Sequence, residues 1–193
     1  MKPRQRPPSS RAQAGATMIE VLVSLLILMF GLLGLVGVMI QSQRAQLESY
    51  QRVQALMLVQ DMASRMATNK SVASCYVLAS FIGTNATTVP AATTCVVTGV
   101  TAEQKDRMVL DLTEWRDQLL GSAEISGGSS VGAILGARGC ITKDPSSNLY
   151  QVSVAWQGSA ATLAPPAGVA CATGQYGTDD GARRAVSVKV QLS

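Results

Sequence analysis

One carboxylate, Glu20, stands at the entrance to an apolar stretch in which residues 21–43 carry no charged side chain. Lys2, Arg4, Arg6 and Arg11 precede it with no acid among them. A lone carboxylate in such a segment costs about 2.5–3.5 kcal/mol on insertion scales, so it needs a partner and marks a candidate functional position. The second set of reactive groups is four thiols, Cys75, Cys95, Cys140 and Cys171, all beyond the apolar stretch. In an oxidising compartment an even number of cysteines in a small domain predicts two disulfides. Three pairings are open; Cys75 with Cys95 and Cys140 with Cys171 is the favoured one, because each bond then closes a loop within one half of the domain. A metal site is the rival, but there is no C-x-x-C spacing and the chain has no histidine.

Acid–base chemistry has little to work with. No histidine can serve as a general base, and no glycine-rich phosphate loop follows a strand pattern. Asp106, Asp111, Glu114 and Asp117 fall along one short helical pattern as a solvated face would. The adjacent Asp179 and Asp180 are a weak calcium signature. The chain is therefore not expected to be an enzyme, and neither a cofactor nor a resident metal is expected. Its formal net charge of +4 resides wholly in the four basic residues before Glu20, so no nucleic-acid partner is expected.

The elements that must position these groups follow from hydropathy and periodicity. Residues 21–40 form a 20-residue apolar run, long enough to span a bilayer as a helix. The basic residues ahead of it predict a cytoplasmic N-terminus and an extracytoplasmic remainder. No A-x-A pattern follows the run as a secretory cleavage site would; Ala12-Gln13-Ala14 lies on the wrong side. Between Pro8 and Pro90 there is no proline, and residues 41–70 are rich in helix formers. Leu56, Val59, Ala63 and Met66 recur at spacings of three and four, with Arg52, Asp61, Arg65 and Lys70 on other faces. A helix over residues 16–68, about 80 Å long, is predicted, with its second half packed on a globular head. Gly31, Gly34 and Gly37 allow close helix approach and weaken the helix by about 1 kcal/mol each.

The head, residues 69–193, begins where Ser, Thr, Gly and Val take over. Thr101-Ala102-Glu103-Gln104 reads as a capping box, and Met108, Leu112, Trp115 and Leu119 follow at helical spacing before Gly121. Beyond a Gly and Ser cluster at residues 126–130 the period changes to two. Tyr150, Val152, Val154 and Trp156 share one strand face, as do Val186, Val188, Val190 and Leu192, with a weaker strand over residues 139–142. These strands predict an antiparallel sheet whose apolar face is buried on the long helix. Residues 158–181 read as a long exposed loop fastened by Cys171.

Gly15 followed by Ala16-Thr17-Met18-Ile19-Glu20-Val21-Leu22-Val23-Ser24-Leu25-Leu26, behind a basic leader, resembles the class III signal of type IV prepilins. That resemblance implies an α+β, type IV pilin-like fold, with a long N-terminal helix packed on a C-terminal globular head that carries an antiparallel β-sheet. It implies a leader, residues 1–15, removed by prepilin peptidase between Gly15 and Ala16, and N-methylation of Ala16, where phenylalanine is commoner in the family. Residues 16–68 are then the long helix, with 16–40 in the membrane or filament core, and residues 69–193 the disulfide-stapled head. The new ammonium group would lie four residues before Glu20, and low dielectric makes their attraction strong. Within one subunit the two groups could meet across a helical turn; between subunits, as the resemblance to pilins favours, Glu20 of an incoming chain would meet the terminus of its neighbour and fix the axial register.

In the head, Glu114-Trp115-Arg116, Gly139-Cys140-Ile141-Thr142 and Val154-Ala155-Trp156-Gln157-Gly158 are similar to the PilV group of minor pilins, the type IV pilus modification proteins. The implied role is a minor pilin in a priming or tip complex for pilus assembly, supporting twitching motility and adhesion. The implied partners are other minor pilins, the major pilin, prepilin peptidase, the inner-membrane assembly platform and a tip adhesin. The implied location is the inner membrane, single-pass with a periplasmic head, and then the cell-surface pilus. A type II secretion pseudopilin shares the signal and helix. A bitopic membrane protein with a sensory or ligand-binding periplasmic head is the alternative from another class.

Overall fold

A computed structural model describes residues 17–86, 88–122, 125–126, 129–130 and 132–192. The leader, Gly15 and Ala16 lie outside the described residues. The chain falls into two compact units, residues 1–43 and 44–193. Its first element, α1, is Met18–Thr68. It opens with the Glu20 and Val21 N–H groups donating to the Thr17 carbonyl at 3.0 and 3.3 Å. It ends where Asn69 turns its amide inward, donating to the Tyr76 hydroxyl at 3.1 Å and the Gln104 carbonyl at 2.8 Å.

Within residues 44–68 of α1 the buried stripe is Ala55, Val59, Met62, Ala63 and Met66. Leu56, expected in that stripe, is only half-buried, and Ala55 and Met62 take the central places. A 3-10 segment, Lys70–Tyr76, and a two-residue strand β1, Ile82–Gly83, follow. Then comes α2, Ala102–Leu119. Its capping box is made as the sequence reads: Gln104 N–H donates to Thr101 Oγ1 at 3.3 Å and Thr101 N–H to Gln104 Oε1 at 3.0 Å. At its far end Gly121 N–H reaches the Gln118 carbonyl and Ser122 N–H the Asp117 carbonyl, both at 3.0 Å. That Schellman closure needs a left-handed residue, and Gly121 supplies it at φ +73°. The Gly and Ser cluster after α2 holds a minimal hairpin of β2, Ile125–Ser126, and β3, Ser129–Ser130.

The remaining strands are β4 (Arg138–Lys143), β5 (Leu149–Gln157) and β6 (Arg183–Gln191). With β1 they form a four-stranded antiparallel sheet in the order β1-β4-β5-β6. The architecture is thus α+β, with one long N-terminal helix and a C-terminal antiparallel sheet. Alternation decides the faces: Ile141, Tyr150, Val152, Val154, Trp156 and Val186 join the α1 and α2 side chains in the main core. Each such fully buried side chain stabilises the fold by about 1.5–3 kcal/mol. Trp115, fully buried, also donates from Nε1 to the Leu58 carbonyl of α1 at 3.0 Å, tying the two helices together.

The opposite sheet face carries a correction. The sequence pattern predicts a long exposed loop over residues 158–181 fastened by Cys171, and most of the segment is such a loop, but Cys171, Ala172 and Tyr176 bury a second small core against Ala155. The disulfide to Cys140 draws the segment onto β4. Arg183 supports it from below, donating to the carbonyls of Val169 at 2.6 Å and Cys171 at 3.2 Å.

Candidate functional site

Glu20 lies in the first turn of α1, where the free N–H groups and the helix dipole favour a negative charge by about 0.3–1 kcal/mol. Ser24 donates from Oγ to the Glu20 backbone carbonyl at 2.7 Å. Among the described residues, no donor or cation meets the Glu20 carboxylate. The side chains after it are apolar and exposed: Leu22, Leu26, Met29, Leu33 and Ile40 are all more than 45% accessible. The most apolar 18-residue window of α1 has none of its residues buried, and the helix is long and apolar enough to cross a membrane. A Cβ added at Gly31, Gly34 or Gly37 would meet nothing within 4 Å. Water is a poor solvent for this surface, so its arrangement suits lipid or other apolar helices. A carboxylate at its margin can pair with a cation brought by another chain.

The four cysteines form two disulfides, Cys75–Cys95 and Cys140–Cys171. The first ties the 3-10 segment to the loop before α2, where Lys105 also donates from Nζ to the Cys95 carbonyl at 2.8 Å. Both disulfides belong to the unit of residues 44–193, and Glu20 to the unit of residues 1–43.

A buried polar cluster joins α1, the 3-10 segment and α2, and it corrects the reading of the α2 acids. Asp106 and Glu114 are not enclosed, but Asp111 is 1% exposed. It accepts from the Tyr76 hydroxyl at 2.6 Å and pairs with Arg107 at 3.0 Å and Arg65 at 3.3 Å. Arg65 also pairs with Asp61 at 2.8 Å and with Glu114. Burial works against the Arg65 charge, but the bonds to Glu114 and Asp61 outweigh it and keep the guanidinium more firmly protonated than usual. The same bond from Arg65 holds the Glu114 carboxyl below the ordinary carboxylate range. Burial, reinforced by the bond to Asp111, pushes the Tyr76 phenol up. The signal for Asp111 is in its helical phase: it stands three residues after Met108 and four before Trp115, inside the apolar stripe. Tyr76 and Asp111 are both enclosed, and the geometry of the cluster is that of a clamp between α1, the 3-10 segment and α2.

Asp179 and Asp180 turn to their own loop. Asp180 accepts from the Gly174 N–H at 2.9 Å and pairs with Arg183 at 3.2 Å, while Asp179 accepts from the Gly181 N–H at 3.1 Å. Comparison with known proteins finds no family model, no curated protein and no solved structure that matches this chain.

Proposed function

We propose that the chain is a minor type IV pilin, most like the PilV group of pilus modification proteins, that joins a priming or tip complex for pilus assembly. The observation that carries this reading is the Glu20 carboxylate, without a partner among the described residues, at the margin of the exposed apolar first part of α1. Cleavage between Gly15 and Ala16 supplies the missing ammonium group, and docking of subunits neutralises both charges while removing the helix from lipid. The disulfide-braced α+β head suits an oxidising periplasm and, later, the cell surface. Other minor pilins, the major pilin and the assembly platform are the partners in this scheme, and adhesion and twitching motility its outputs.

Glu20→Ala tests it. The variant inserts and loses its leader normally, because the apolar run is unchanged, but enters sheared filaments poorly. Efficient incorporation of Glu20→Ala refutes the pairing. A membrane-resident wild-type protein whose N-terminal sequence still begins with the basic leader refutes the pilin reading and favours a bitopic membrane protein.

A further inference from the structure

The second face of the sheet holds a cleft of about 490 Å³, within the usual range for small-molecule sites. Its floor is Thr142 of β4 with Gln151 and Ser153 of β5. One wall is the segment 78–81 and the other is residues 168–175, held in place by the Cys140–Cys171 bond. Gln151 donates from Nε2 to the Gly168 carbonyl at 2.9 Å, so its amide is already oriented and its carbonyl oxygen remains an acceptor. Phe81 stands at the rim, with the Arg138 guanidinium 5.2 Å from its ring centroid. The same guanidinium lies 4.8 Å from the Tyr176 ring centroid, so Arg138 joins the two aromatic side chains by cation–π contacts.

The chemistry of this lining narrows its ligand. None of the lining side chains is charged. A phosphate, nucleotide or acidic sugar wants a guanidinium or ammonium within bonding range, and the cleft offers none. A divalent cation wants carboxylate or imidazole, which are missing too. A lipid chain would desolvate the Thr142 hydroxyl and the Gln151 carbonyl oxygen and offer neither a partner, at roughly 1–3 kcal/mol for each group. A neutral ligand bearing many hydroxyls satisfies both the donors and the acceptors of the floor. Its C–H faces suit Phe81, Leu78 and the disulfide.

We propose that this cleft is a binding site for a neutral carbohydrate. The proposal stands on the head alone and does not depend on the pilus reading. Its test uses full-length protein in micelles of a detergent without sugar groups, applied to an array of neutral and acidic oligosaccharides. Saturation-transfer NMR follows, with lactose and N,N′-diacetylchitobiose as neutral probes and sialic acid and inorganic phosphate as charged ones. Neutral oligosaccharides bind, and their affinity falls tenfold or more in Thr142→Trp, which fills the floor. The same loss is expected in Ser80→Trp, whose exposed rim position leaves the fold intact. Leu163→Ser, on the exposed part of the 158–181 segment, binds as the parent does. Three results each overturn the proposal: no neutral oligosaccharide binding above the Thr142→Trp background, binding unaffected by both tryptophans, or preference for phosphate or sialic acid.

Discussion

Asp111→Ala is the most informative perturbation of the head, because one carboxylate of 1% exposure serves three donors from three elements. Arg107 is 56% exposed and returns to water at little cost, so its pair contributes at most about 1 kcal/mol. Arg65 keeps Asp61 and Glu114. The main loss is at Tyr76, whose buried hydroxyl would have no acceptor, at about 1–3 kcal/mol. The total expected is about 3 kcal/mol, or roughly 6–12 °C in Tm for a domain of this size. Urea and thermal unfolding of the full-length protein in micelles, followed by fluorescence of the buried Trp115 and Trp156, measure it. Tyr76→Phe removes the orphaned hydroxyl, so the two substitutions should couple by about 1–2 kcal/mol. A cost of Asp111→Ala below about 1 kcal/mol, or strict additivity with Tyr76→Phe, would refute the clamp.

Three other outcomes are expected of the head. Gly139 of β4 lies so close to α2 that an added Cβ would fall 2.5 Å from Trp115 Cη2 and 2.8 Å from Leu119 Cδ1. Gly139→Ala therefore destabilises by about 1–3 kcal/mol and shifts the tryptophan emission, and an unshifted Tm contradicts the packing. Because Tyr76 has its pKa raised above its ordinary value of 10.0, the folded state holds that proton more tightly than the unfolded chain does. Its stabilisation is complete below pH 10 and is lost as pH climbs beyond it, so alkaline unfolding should be less steep in Tyr76→Phe when Tm is followed against pH. Paired Cys140→Ser and Cys171→Ser substitutions release a link of sequence separation 31, at about 3–4 kcal/mol by chain entropy. Limited proteolysis should then cut first within residues 158–181, and cutting elsewhere would show that the second core holds without the bond.

Local regularity makes much of this chain legible from its residues alone. The apolar run and the absence of proline between Pro8 and Pro90 mark α1, because helical hydrogen bonds and hydropathy act over a few residues. The Thr101 and Gln104 capping pair and the Met108, Leu112, Trp115, Leu119 stripe are equally local, and α2 uses all of them. Alternation identifies the inward faces of β5 and β6, since side chains on a strand reverse at every residue. Glu20 stands out for the same reason: one charge against a uniform apolar background needs no tertiary context to be noticed.

Periodicity says which residues share a face, and it is silent on what that face meets. Three cysteine pairings are compatible with the sequence, and only the approach of β4 to the loop at Cys171 chooses between them. Asp111 reads as one more solvated acid until Tyr76 and Arg65, 35 and 46 residues away, close over it. Ala155 sits on what the pattern marks as the polar side of β5, yet it is buried because Cys171, Ala172 and Tyr176 fold back across it. Burial is a property of two surfaces, and the second surface in each of these cases comes from distant parts of the chain.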